Sequence, residues 1–208
     1  CVQRFRWHEC DIETSRNRLL TLNGRSSSAG CCFEGEMLMY GGTLNGNAGP
    51  LLGDLLALSL DKINYVLTVK LAKYSDSSDE VDPGPRRGHS FTATSAHGSA
   101  SHEGTPVVCL LSGWGHDENN MAPYLLTKED DGYRWTKPLV SGAEPEGRAF
   151  HSATEICRGR LCIVGGLGSG CCRTDVALLD LNTMCWSVPR VGGQPCCLGG
   201  RAGHGAAF

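Results

Sequence analysis

The sequence has no run of apolar residues approaching the roughly 20 that a membrane-spanning helix needs. It has no excess of positive charge either: 19 Lys and Arg stand against 22 Asp and Glu, a formal charge of -3. No field draws the chain onto nucleic acid or an anionic membrane, so neither is an expected partner. The opening CVQRFRWHEC lacks the basic, apolar, small-residue order of a signal peptide, and the natural N-terminus is expected to lie upstream. No GxxxxGK[ST] occurs and no long amphipathic helix pattern follows a double glycine, which excludes a phosphate-cradling loop. No CxxC occurs and no Cys/His spacing suits zinc. No pair of titratable groups stands apart from the repeating pattern described below. The reading is of a protein without a catalytic residue, a metal or a cofactor.

Glycine and cysteine are plentiful. The 28 glycines of 208 residues show no collagen-like period and point to many tight turns between short strands. Of the 12 cysteines, six form the vicinal pairs Cys31-Cys32, Cys171-Cys172 and Cys196-Cys197. Neighbouring residues of a strand point to opposite faces, so such a pair chelates one metal poorly. The reading is of reduced, mostly structural thiols in an intracellular protein, cytoplasmic or nuclear. The glycine-flanked pairs Cys171-Cys172 and Cys196-Cys197 read as accessible.

The chain repeats itself. Arg148-Ala-Phe-His151-Ser152 is echoed by Arg86-Arg-Gly-His89-Ser90, by Arg201-Ala-Gly-His204 and, more weakly, by Arg25-Ser-Ser-Ser28. A short apolar strand then runs into Gly41-Gly42, Ser112-Gly113 or Gly165-Gly166. DLLALSLD from Asp54 aligns with DVALLDLN from Asp175, and Tyr65 and Trp186 follow at one offset. The middle copy is looser, with MAPYLLT leading to Tyr133 and Trp135; Trp7 reads as the closing aromatic of an earlier copy. Cys109, Cys162 and Leu38 share a repeat position, which marks it as apolar core.

These features together resemble the kelch repeat family, from Trp7 to Phe208. WSVPRVGGQPCCLGGRAGHGAAF and WTKPLVSGAEPEGRAFHS carry its order of tryptophan, proline, arginine and histidine. The departures are Ser112 for glycine, Ser28 for histidine and Tyr65 for tryptophan. The resemblance implies an all-β propeller with about three complete four-stranded antiparallel blades, at 24–75, 85–140 and 147–195. Partial blades are expected at 1–23 and 199–208, in a chain that is part of a longer one. His89, His151 and His204 are expected to hydrogen-bond within or between blades.

The resemblance further implies a non-catalytic scaffold that binds a partner protein through loops at a propeller end. One form is the substrate receptor of a ubiquitin ligase. Another is an accessory subunit of a DNA recombinase or transposase, as in the antigen-receptor recombinase; a cytoskeletal or ciliary component is a third. A copper oxidase would need a cluster of histidines, tyrosines and a cysteine that the sequence does not show. Candidate partner-binding residues are Trp114, His116 and Asp117 of GWGHDENN, with Arg86, Arg148 and Arg201 as cations for carboxylates; the alternatives are arginines paired with backbone carbonyls or neighbouring acids, and a turn with Trp114 packed against the next blade. The insertion from Thr94 to Pro106 is expected to join GWGHDENN in one surface.

Overall fold

The computed structural model describes residues 11–14, 25–46, 49–61, 63, 66–75, 81–96, 105–115, 120–192 and 199–208. Strands β1 (Asp11–Thr14), β2 (Ala29–Phe33), β3 (Glu36–Thr43), β4 (Leu51–Asp61) and β5 (Val66–Leu71) form the first sheet, in the order β1-β5-β4-β3-β2. After β6 (Arg86–Arg87), the second sheet uses β7 (Ser90–Ala96) and β8 (Thr105–Leu111). It continues past β9 (Trp114–Gly115) with β10 (Pro123–Lys128) and β11 (Tyr133–Thr136), in the order β11-β10-β8-β7. Next come β12 (Ser141–Gly142), β13 (Ser152–Cys157) and β14 (Arg160–Val164), then β15 (Leu167–Gly168), β16 (Cys171–Cys172), β17 (Val176–Asp180) and β18 (Cys185–Ser187). The third sheet runs β12-β18-β17-β14-β13; β15 pairs with β16 and β6 with β9. The described residues are all-β and form no closed ring, and no helix among them is long and apolar enough to cross a membrane.

Each of the three large sheets contains a four-stranded antiparallel meander, because short apolar strands alternate with turns. Two sheets carry a fifth strand that the sequence reading lacks. Asp11–Thr14, assigned from sequence to a separate partial unit, pairs in parallel with β5 of the first sheet. Before the third sheet, β12 does the same against β18. Before the second, Tyr74 makes a single parallel bridge to Tyr133. The segment leading into every sheet therefore first lies along that sheet's last strand.

The side-chain alternation of period two sets the layers. Leu38, Tyr40 and Leu55 meet Phe91, Val108, Leu110 and Trp135 in a core between the first and second sheets. Val107, Cys109 and Leu111 meet Leu161, Ile163, Leu179 and Trp186 between the second and third. The second sheet is thus covered on both faces. Trp135 and Trp186 each face the preceding sheet, which explains why an aromatic recurs in the last strand.

Cys109 is fully buried and unpaired, whereas Cys162 is only half-buried. The repeat position they share faces the following sheet. Cys109 finds the third sheet there; Cys162 points away from the second sheet, between the buried Leu161 and Ile163. The expectation that both thiols are core residues is corrected for Cys162.

Candidate functional site

The repeated arginines clamp their own sheets. Arg25 Nη1 donates to the Gly41 carbonyl at 2.9 Å, and its guanidinium grips both oxygens of Asp54 at 2.8 and 2.7 Å. Arg148 repeats the arrangement with Gly165 O at 3.0 Å and with Asp175 at 2.6 and 2.8 Å. This bidentate geometry suits a planar guanidinium and explains the Asp-led strand. The Arg148 guanidinium in turn holds the Asp175 carboxyl below its usual range. In the second sheet Arg86 donates to Ser112 O at 3.1 Å and lies over the Tyr124 ring at 5.2 Å. Arg86 and Arg148 are 6% and 2% exposed. Of the two readings of the sequence, a partner's carboxylates or the protein's own carbonyls and acids, the structure places Arg86 and Arg148 in the second, inside and engaged with their own sheets. Arg201 is half-exposed, and its carbonyl accepts from Gly166 N–H at 2.8 Å.

The glycine pairs lie at the joints between sheets. A β-carbon on Gly41, at φ 62°, would stand 2.5 Å from the Arg86 carbonyl of the next repeat. Gly165 meets Arg201 O in the same way. Ser112 occupies the equivalent place as a non-glycine at φ 49°. It is kept there by its hydroxyl, which accepts the Arg148 N–H at 3.0 Å. The histidines cross the same joints. His151 Nε2 shares a hydrogen bond with Ser90 Oγ at 2.9 Å, and His204 Nε2 with Ser152 Oγ at 3.0 Å. Burial pushes the imidazoles of His89 and His151 down, to about 3 and about 4, with the neighbouring Arg86 and Arg148 charges adding to the effect. These histidines are neutral joint elements at neutral pH.

One cluster at this glycine end of the stack stands out. Ser27, Gly88, Phe150 and Gly203 hold one repeat position, and all are left-handed, at φ 57°, 64°, 57° and 69°. Main-chain bonds tie them in series: Gly88 N to Ser27 O at 2.9 Å, Phe150 N to Gly88 O at 2.6 Å and Gly203 N to Phe150 O at 2.8 Å. Phe150 is the only large side chain of the four. It meets Trp114 edge to face, with ring centroids 5.2 Å apart. Arg87 lies 5.2 Å from the centre of the Trp114 ring, its strand paired with that of Trp114. All three residues are half-buried. Farther along, Met121 is fully buried and its N–H is held by Glu144 at 2.9 Å. Both ends of GWGHDENN are therefore fixed. His116 and Asp117 lie outside the described residues, as do Tyr65 and Trp7.

Phe150 was visible in the sequence only as the bulky residue at a position otherwise occupied by glycine or serine. The described ends of the insertion from Thr94 to Pro106 lie away from this cluster. Ser90 pairs with Leu111 at the glycine end, while Ala96 pairs with Thr105 at the other. At about 3.4 Å per residue these ends lie about 20 Å apart. The expected joint surface of the two loops falls on residues 97–104 and 116–119, which lie outside the described residues.

No family model matches the chain. Among curated proteins it is 33% identical over 84 residues to the Rab9 effector protein with kelch motifs of Bos taurus, covering 39% of this chain and 23% of that protein. The chain is similar to proteins named for kelch motifs. It is 26% identical over 178 residues to Host cell factor 1 of Homo sapiens, covering 78% of this chain and 8% of that one. It is 30% identical over 116 residues to the dynein alpha chain of the flagellar outer arm of Chlamydomonas reinhardtii, covering 53% and 2%. The chain spans less than a quarter of the length of each.

Proposed function

We propose that this chain is part of a kelch-type propeller acting as a non-catalytic scaffold that binds a partner protein at its glycine end. The observation that carries the reading is the stack of Arg87, Trp114 and Phe150, half-exposed and preorganised, with Phe150 kept left-handed. Strained backbone at a surface cluster marks a functional site, and large aromatic residues dominate binding energy at interfaces. The similarity to the Rab9 effector protein, named for its kelch motifs and effector role, supports the same class. Receptor of a ubiquitin ligase and accessory subunit of a recombinase are two forms of this reading, distinguished by whether a cullin-type ligase or a transposase co-purifies.

A second reading, a ciliary or cytoskeletal component, is favoured by the similarity to the dynein alpha chain; co-sedimentation with microtubules tests it. The primary reading is tested by quantitative affinity purification with wild-type and Trp114→Ala chains. A defined set of proteins lost from the folded variant supports it, and identical recovery refutes it.

A further inference from the structure

The two joints between sheets bury apolar clusters of similar make-up but differ in the hydrogen bonds of their edge strands; away from those strands, the first joint is crossed by Tyr133 Oη donating to Glu36 at 2.8 Å and by the Lys128–Glu36 ion pair. Edge strands β2, β7 and β13 begin at equivalent places: Ala29, Ser90 and Ser152 pair with Tyr40, Leu111 and Val164, next to the glycine elements. From β7, Ser90 bonds His151, Thr92 Oγ donates to Ala153 O at 3.1 Å, and Thr94 Oγ donates to Glu155. From β13, Ser152 bonds His204 and Thr154 Oγ donates to Ala206 O at 3.2 Å. The matching residues of β2 are Ala29, Cys31 and Phe33. None carries a hydroxyl, and all three belong to the apolar core of the first joint or pack against it.

His89 records the difference. Its counterparts have a serine partner; at 5% exposure, both its nitrogens lack one. Tyr40 packs edge to face on it at 5.6 Å, and the Tyr40 carbonyl favours its protonated form without reaching hydrogen-bond geometry.

We propose that the first joint loosens at its glycine end: the first sheet pivots against the second about the Glu36 contacts to Tyr133 and Lys128 at the far end, while the second and third move as one body. Hydrogen bonds are directional and fix register. Apolar contact is non-directional and tolerates sliding, and a buried imidazole without a partner gains from any displacement that gives it one. The β2 row is greasy where the β7 row is a ladder of hydroxyls.

Native-state hydrogen exchange on the full chain reads this at two equivalent amides, Gly88 N–H, bonded to Ser27 O, and Phe150 N–H, bonded to Gly88 O. Gly88 should exchange faster than Phe150 once intrinsic rates are removed. Ala29→Ser, which restores a hydroxyl for His89, should slow Gly88 about two- to tenfold, the worth of one hydrogen bond, and leave Phe150 unchanged. Ser90→Ala, which orphans His151, should accelerate Phe150 by a similar factor. Equal protection of the two amides in the wild type, or a Gly88 rate indifferent to Ala29→Ser, would overturn the proposal.

Discussion

Phe150 takes a backbone conformation that Gly88 and Gly203 reach without a β-carbon. Left-handed φ costs an ordinary residue roughly 1–2 kcal/mol, and the main-chain bonds on either side hold it there. Phe150→Gly relieves that cost while losing half-buried packing on Trp114. The unfolding free energy should stay within about 1 kcal/mol of wild type, from the same balance of strain and packing, although partner capture falls. A urea titration alongside a binding assay checks both. Ser112 shows the opposite balance. Ser112→Ala keeps φ 49° and leaves the buried Arg148 N–H unpartnered, so it should cost roughly 2 kcal/mol. Asp175→Ala leaves Arg148, 2% exposed, without its carboxylate. It should cost about 3 kcal/mol, the low end for breaking a buried pair because Asp175 is itself half-exposed. Arginine, histidine and glycine at fixed spacing were legible because the same joint is built again and again. Whether the arginines meet a partner or their own carbonyls and acids was left open by the sequence; Asp54 and Asp175, at one repeat position, are the internal partners of Arg25 and Arg148.

At the scale of the element, the four-stranded meanders were readable because apolar runs and glycine pairs mark strand and turn directly. The parallel additions at the outer edge were not. β12 is two residues long, and Tyr74 makes a single bridge, too short for a period-two pattern. The burial of Cys109 followed from a position shared with Leu38, but the half-exposure of Cys162 depends on which face is covered, which a strand's own sequence does not state. The joints also carry a pH dependence. His89 and His151 have folded values of about 3 and about 4, against about 6.5 when unfolded. Between those limits the unfolded chain binds more protons, so stability rises with pH. Their contribution is complete above about pH 6.5 and drains away on acidification toward pH 4. Unfolding midpoints at a series of pH values should fall across that window. His151→Gln should flatten the fall by about half, one of the two protonations being removed; an unchanged slope would show that other groups dominate.

At the scale of the whole molecule, the described residues form a stack of similar sheets whose glycine end presents a preorganised aromatic cluster. The sequence pointed to Trp114 through its place after a glycine element and left open its packing against the next repeat, without naming Phe150 as the residue it meets. Direct binding of the captured partner, titrated against purified full chain, tests this most closely. Trp114→Ala at the glycine end should cost more than about 2 kcal/mol in affinity, as for an interface anchor, with its unfolding transition intact. Arg158→Glu, on the exposed β13–β14 turn at the opposite end, should bind as wild type does. Undiminished binding by a folded Trp114→Ala chain, with loss in Arg158→Glu, would contradict the account.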